Sequence, residues 1–157
     1  STADDAVIAQ LVRAATSICE AFIGQWLIVR GGEQTLPVGS GAVQLGARPV
    51  VAVDTVALLD AAGSETVLGA AQWRAAIARD GTARLTIHSP GDAERVRIAY
   101  RAGMAATPNG IPEAIRQGIV RMIQHLHEAR DGAGASPPAM IAALWQPWRR
   151  LTLGSGR

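Results

Sequence analysis

The sequence contains no lysine, so all fifteen of its basic residues are arginines. P-loop nucleotide binding, Schiff-base and pyridoxal chemistry, and the Ser-x-x-Lys hydrolases each need a lysine amine, and this absence excludes all of them. The chain also has a single cysteine, Cys19, which excludes an internal disulfide framework and is typical of a reducing compartment. These absences remove several classes of enzyme and the class of disulfide-rich secreted domains.

The length and net charge of the chain limit the possible classes of protein further. The 157 residues are 48% hydrophobic, which suits one domain with a substantial core. No apolar run approaches the roughly 18 residues that span a bilayer, and no secretory signal pattern is visible, so we expect a soluble protein that contacts no membrane. The net charge of +2 is small. Charge alone therefore does not indicate a nucleic-acid partner.

The segment IPEAIRQGIVRMIQHLHEARD, residues 111–131, predicts an amphipathic helix. Its apolar residues recur at the spacing of one helical face, while polar residues recur at the same spacing on the other face. Pro112 suits the first turn, and Glu113 favours the positive end of the helix dipole. The predicted apolar face consists of Ile115, Ile119, Met122, Ile123 and Leu126.

The two histidines of this helix are the first candidates for metal ligands. His125 and His127 are two residues apart, so on a helix they point about 200° from each other and cannot bind one ion together. His125 with Glu128 is a geometrically possible ligand pair, but two ligands do not make a site. We therefore interpret the histidines as flanking residues of an amphipathic helix and predict no metal and no cofactor.

A first helix is predicted from an N-cap at Asp4 or Asp5 to about Ile23, with Gly24 as its stop. Its apolar stripe places Cys19 on the core side, where a thiol behaves as a small hydrophobe rather than as a nucleophile. The predicted stripe consists of Ile8, Leu11, Val12, Ala15, Cys19 and Phe22.

Residues 25–101 consist of short β-prone runs separated by turn signals. Asp80-Gly81 is a two-residue hairpin signal, and Ser89-Pro90-Gly91-Asp92 is a second turn. Because such short connections favour antiparallel neighbours, we predict a central β-meander.

A row of arginines lies within the last two predicted strands. If the turn at 89–92 closes a hairpin, Arg84 lies opposite Arg97 and Thr86 opposite Arg95. Like charges facing each other invite a counter-charge, which acids of a neighbouring subunit or phosphates could supply. A solvated face without a partner is the other interpretation, and both stay open at this point.

The last residues, AMIAALWQPWRRLTLGSGR, carry two of the four tryptophans. Pro147 should end any helix near Trp145 or Gln146. Two exposed indoles would be costly, so Trp145 and Trp148 either fold back on the first helix or dock on a partner.

No nucleophile–base–acid set can be assembled from local motifs, and we predict no enzyme.

The order of several stretches matches a known pattern. These are DDAVIAQLVRAATSICEAFIGQWLI, then RPVVAVDTVALLDAAGSETVL, then a strand that ends in Tyr100-x-Ala102-Gly103 before a loop, and Ile111-Pro112-x-x-Ile115-Arg116-Gln117 opening a long helix, with ALWQPWRRLTLG near the end. Across nearly the whole chain, this order resembles the phage head-tail connector (adaptor) family, including the adaptors of phage-like gene transfer agents.

The resemblance implies a structural protein in the neck of a virion or phage-like particle, assembled in the bacterial cytoplasm. Its implied partners are the portal protein, a stopper or other neck and tail proteins, and its own copies in a dodecameric ring around the DNA channel. The closing aromatic residues are then the candidates for portal docking: Met140, Leu144, Trp145, Trp148, Arg149, Arg150 and Leu151. Candidates for contacts with neighbouring subunits or with channel DNA are Arg84, Arg95, Arg97 and Arg101.

We therefore predict an α+β fold in which two long amphipathic helices pack with a central antiparallel β-meander, followed by a short C-terminal helix and tail. Residues 1–132 form the predicted adaptor domain, and residues 133–157 the linker and docking segment. Two alternative functions remain: a free nucleic-acid-binding module that uses the arginine row, and a metal-dependent enzyme that uses His125 and Glu128.

Overall fold

The computed structural model describes residues 1–129 and 136–151. The chain forms two compact units, a helical unit made of residues 1–27 and 107 onward, and a sheet unit made of residues 28–106. Helices together with antiparallel sheets confirm the predicted α+β class. The domain boundary at residue 132 stays a prediction, although residues 136–151 belong to the helical unit.

The first helix, α1, spans Thr2–Ile23. The Ser1 hydroxyl accepts a hydrogen bond from the Asp4 backbone N–H, and the Asp4 carboxylate returns to the Ser1 backbone, which closes a capping box. The predicted cap at Asp4 or Asp5 was therefore wrong, because both residues lie in the first turn. Gly24 ends α1 as predicted, with a left-handed φ of 67°.

The second helix, α2, spans Glu113–Glu128, and Pro112 stands at its N-cap position. It buries Ile115, Gly118 and Met122. The third helix, α3, spans Ala139–Trp145 and continues into a 3₁₀ turn at Gln146–Trp148. The predicted end of the helix before Pro147 is confirmed, whereas Asp131, which the sequence placed in the second helix, lies outside the described residues.

Seven strands form two sheets in the sheet unit: β1 (Arg30–Pro37), β2 (Ala42–Gln44), β3 (Val50–Leu59), β4 (Glu65–Val67), β5 (Trp73–Ile77), β6 (Ala83–Ile87) and β7 (Arg95–Ala102). The larger sheet has the order β1-β7-β3-β4, and the smaller sheet has the order β2-β6-β5. Neighbouring strands in both sheets are antiparallel. Alternate residues of β6 and β7 are buried, as expected when one face of a sheet lies on a core.

This strand order does not follow a meander, in which each strand lies beside the next one along the chain. The hairpin predicted at Asp80-Gly81 is confirmed, since β5 pairs with β6 across it. The hairpin predicted at residues 89–92 is wrong, because β6 and β7 lie in different sheets. The seven residues between Ile87 and Arg95 allow the chain to change sheets, and turn residues fix a reversal of the chain without choosing the strand's partner.

Among the described residues, α1 alone is long and apolar enough to cross a membrane, judged by length and composition only. Core helices of soluble proteins and signal sequences satisfy the same criteria.

Candidate functional site

The C-terminal segment, defined here as residues 136–151, is fixed to the end of α1. The Gln25 side-chain amide donates to the Trp148 carbonyl oxygen at 2.6 Å. The Arg150 backbone N–H donates to the Ile23 carbonyl oxygen at 2.7 Å. A side chain in place of Gly24 would collide with the Arg150 carbonyl oxygen, so glycine is needed here for close approach as well as for its positive φ. The segment therefore lies directly against the C-cap of α1.

Trp145 is a core residue of the helical unit, with 0% of its surface exposed. Its indole N–H donates to the Ile115 carbonyl oxygen at 3.2 Å, and its ring centroid lies 6.0 Å from that of Phe22. Gly118 leaves the space that the five-membered part of the indole occupies. The structure thus supports the interpretation that this tryptophan folds back on the helices, and Trp145 is no longer a candidate for direct docking.

The outward side of the C-terminal segment remains available for contacts. Met140 and Leu151 are 71% and 69% exposed. Arg149 and Arg150 are also exposed, although the Arg149 guanidinium stacks over the Phe22 ring at 4.5 Å. Leu144 and Trp148 are partly exposed. The segment therefore combines an anchored inner side with an apolar and basic outer side.

Two of the four candidate arginines have carboxylate partners within the larger sheet. Arg97 on β7 is paired with Glu65 on β4, and its Nε lies 3.7 Å from Glu33 Oε1 on β1. These three side chains line a shallow depression of about 130 Å³ on the outer face of the sheet. Arg101 on β7 donates to the Asp54 carboxylate on β3 from Nε, at 3.2 Å to Oδ2 and 3.3 Å to Oδ1, and from Nη2, at 3.1 Å to Oδ1.

For Arg97 and Arg101, the counter-charges are thus carboxylates on strands of the same sheet. They do not need to come from another subunit or from phosphates. Arg95 is exposed near the start of the same strand. Arg84 lies on β6 in the smaller sheet, so the predicted pairing of Arg84 with Arg97 is wrong.

The smaller sheet has a basic outer face that sequence reasoning missed. Arg84 and Arg74 are both exposed, and the register places Arg74 opposite Thr86, two residues from Arg84 on the neighbouring strand. Residues at such diagonal positions lie about 7–8 Å apart. The other outward residues on these strands are uncharged: Ala42, Gln44, Ala76 and Thr86. Pairing the strands across Asp80-Gly81 would have revealed Arg74 from the sequence.

The other chemistry-bearing residues that the structure describes do not assemble into a metal site. Within residues 1–129 and 136–151, no group of three or more His, Cys, Asp or Glu side chains could hold a metal ion. Cys19 is fully buried, and burial, with a smaller contribution from the Glu20 carboxylate, raises the pKa of its thiol to about 12. At neutral pH this thiol is therefore protonated and inert.

The Tyr100-x-Ala102-Gly103 motif has a structural explanation. Tyr100 is buried; burial raises the pKa of its phenol, while the positive charge of Arg30 acts in the opposite direction. Gly103 has a φ of 152°, and a Cβ on it would lie 2.5 Å from the Ile28 carbonyl carbon. The motif therefore marks where β7 leaves the sheet against the backbone of residues 28–29.

Comparison with solved structures gives consistent matches along the chain. A structure described as "Neck of empty GTA particle computed with C6 symmetry", GTA being gene transfer agent, is 28% identical with a TM-score of 0.76, over 98% of this chain and 82% of that chain. "Neck of native GTA particle computed with C12 symmetry" is 27% identical with a TM-score of 0.74, over 96% and 85%. "Virion of native gene transfer agent (GTA) particle" is 30% identical with a TM-score of 0.72, over 97% and 81%.

No protein-family model and no curated protein matches the sequence. The solved structures nonetheless agree with the order of motifs in the sequence, and they cover nearly the whole chain. The chain therefore belongs to the head-tail connector (adaptor) family, represented by these gene transfer agent neck structures.

Proposed function

We propose that this protein is a structural adaptor of a gene transfer agent or tailed phage. Its copies form a ring on the portal, join the DNA-filled head to the tail and surround the DNA channel. The observation that carries this proposal is the likeness to neck structures over 96–98% of the chain, in assemblies treated with sixfold and twelvefold symmetry. The proposed partners are the portal, a stopper or other neck protein, and further copies of the chain, and the proposed role involves no catalysis.

The outer side of the C-terminal segment is the proposed portal contact. Its exposed apolar residues, Met140 and Leu151, and its exposed arginines, Arg149 and Arg150, all belong to a segment whose inner side is fixed to α1. An anchored segment loses little conformational entropy on docking, which favours binding. Because Trp145 fills the core beneath this surface, we assign it the role of holding the segment in place.

The test is to add purified protein to portal-bearing heads that lack it and to image the neck. Met140→Asp combined with Leu151→Asp should reduce the occupancy of heads at least tenfold while the thermal midpoint of the free protein stays unchanged, since both positions are exposed. Val67→Asp is the matched control, because Val67 is 66% exposed but lies on β4 of the sheet unit. Normal attachment of the double variant would contradict the portal contact, and failure of the unsubstituted protein to bind heads would contradict the adaptor role.

Contact with channel DNA is a second candidate role, and the outer face of the smaller sheet favours it. Arg74 and Arg84 lie on that face among uncharged residues, whereas Arg97 and Arg101 are paired with carboxylates. Arg74→Gln with Arg84→Gln should weaken DNA binding by the free protein and lower the slope of log affinity against log salt by about 1 for each phosphate that is no longer neutralised. Arg101→Gln is the control; an equal weakening of binding in both variants would argue against this face.

A further inference from the structure

The apolar stripe of α1 is continuous in sequence but covered along only part of its length. Four residues of the predicted stripe, Ile8, Val12, Ala15 and Cys19, and then Ile23 follow each other at spacings of four, three, four and four residues, which keeps them on one side of the helix. Ala15, Cys19 and Ile23 are each 0% exposed and belong to the core of the helical unit. In contrast, Ile8 is 54% and Val12 41% exposed.

In the part of the chain that the structure describes, the apolar side of the first half of α1 is therefore only partly covered. Val7, which is rotated about 100° from Ile8 on the helix, is also 51% exposed, and the only charged side chain in residues 6–16 is Arg13. Arg13, Gln10 and Ser17 lie on the side opposite the stripe, so this part of the helix is amphipathic rather than apolar all round. Most helical stability in proteins comes from packing of an apolar face, and exposed aliphatic patches mark interaction surfaces.

We propose that the exposed half of this stripe, Ile8 and Val12, packs against a neighbouring copy of the same chain. This inference rests on the proposed adaptor function, because the similar structures come from necks treated with sixfold and twelvefold symmetry. A ring of identical subunits needs a heterologous contact, in which a patch on one copy meets a different patch on the next. A stripe that begins in one subunit's core and runs out onto its surface fits such a contact.

A second copy explains the amphipathic pattern better than a membrane does. A helix that crosses a bilayer is apolar all round, whereas here the side opposite the stripe carries a guanidinium, an amide and a hydroxyl. The burial of Ala15, Cys19 and Ile23 also shows that the same side already serves as a protein-packing surface. The neighbour would extend that packing toward the N-terminus of α1.

The first experiment measures thiol accessibility in the assembled neck. Because Cys19 is buried and its pKa is raised to about 12, a cysteine introduced on the surface is the reactive thiol of the described residues. Ile8→Cys and Val12→Cys test the stripe, and Gln10→Cys and Ser17→Cys are matched controls on the other side of the same helix. Each variant is treated with a maleimide, both as free protein and after binding to portal-bearing heads.

We expect labelling at positions 8 and 12 to slow at least tenfold on assembly, while labelling at positions 10 and 17 changes less than threefold. A variant at position 8 that keeps the thermal midpoint of the parent protein but fails to enter the neck, while the position 10 variant enters, also supports the proposal. Equal labelling rates at position 8 in the free and assembled protein overturn it, even though entry into the neck would leave the adaptor role intact.

The second experiment identifies what covers the stripe. A photoreactive aliphatic residue that carries a diazirine is placed at position 8, and assembled necks are irradiated and analysed by mass spectrometry. Cross-linking to a second copy of the 16.3 kDa chain is expected. A product with the portal or another neck protein, a product within one chain, or the absence of a chain-to-chain product overturns the proposal. If the unsubstituted chain does not bind heads, the adaptor role fails and this inference fails with it.

Discussion

Gly118 on α2 contacts Trp145, and replacing Gly118 by alanine should destabilise the helical unit. This direction is opposite to the usual effect of a glycine-to-alanine replacement in a helix. In the interior of an exposed helix, alanine is more favourable than glycine by about 0.8–1.0 kcal/mol. Here an added Cβ would lie 2.7 Å from Trp145 Cε2 and 2.9 Å from Cδ1, which is closer than Cβ contacts occur in proteins. The indole ring would have to move.

The free-energy cost of moving the indole ring follows from its burial and from its hydrogen bond. Trp145 is 0% exposed, so its ring is enclosed by protein, and overpacking of this kind costs about 1–3 kcal/mol. Displacement would also break the buried hydrogen bond from the indole N–H to the Ile115 carbonyl oxygen at 3.2 Å, which costs about a further 1–3 kcal/mol. After subtracting the helix-propensity gain, we expect Gly118→Ala to lower the free energy of unfolding by about 1–5 kcal/mol.

Urea unfolding followed by far-UV circular dichroism measures this change, and a double-mutant cycle assigns it. Phenylalanine lacks the five-membered ring that contacts Gly118, so Gly118→Ala should cost at least about 1 kcal/mol less in a Trp145→Phe background than in the parent protein. Gly69→Ala is the control, because Gly69 has a negative φ and its added Cβ would make only an ordinary contact, 3.6 Å from the Gln72 side-chain oxygen. A neutral or stabilising Gly118→Ala, or effects that add to within about 0.5 kcal/mol, would refute the reasoning.

Two further predictions concern a backbone contact and a buried thiol. Gly103→Ala should destabilise the sheet unit by at least about 3 kcal/mol, because the φ of 152° at Gly103 and the close approach of residues 28–29 leave no room for a methyl group. An unchanged midpoint of urea unfolding would show that the backbone can shift to make room. For Cys19, burial raises the folded-state pKa from 9.0 to about 12. Its contribution to stability is therefore fully present below pH 9.0 and is lost as the pH rises toward 12. Cys19→Ala should remove this part of the alkaline loss of stability in thermal melts between these pH values, and an identical alkaline decline in both proteins would contradict the assignment.

Local patterns in the sequence determined the helices and the C-terminal end of α1, although not its N-cap. The apolar spacing along α1 and α2, Gly24 as a C-cap and the Asp80-Gly81 hairpin are each set by residues within a few positions of one another, and the structure has them where the sequence predicted them. The side of α1 that holds Cys19 was predictable for the same reason. The order of motifs also led to the adaptor family, because it retains the pattern of chain elements that the solved necks share.

Partners that are distant in sequence were decided only by the tertiary structure. β7 carries buried residues on one side and charged residues on the other, and this pattern is compatible with several neighbouring strands. Its pairing with β1 and β3 brings Glu33 and Asp54 close to its arginines. The burial of Trp145 likewise depends on Gly118, a residue whose lack of a side chain carries no signal in hydrophobic periodicity. Periodicity indicates which side of an element is apolar, but the surface that covers that side depends on packing between distant parts of the chain. For the first turns of α1, the packing of the described residues leaves that side partly exposed.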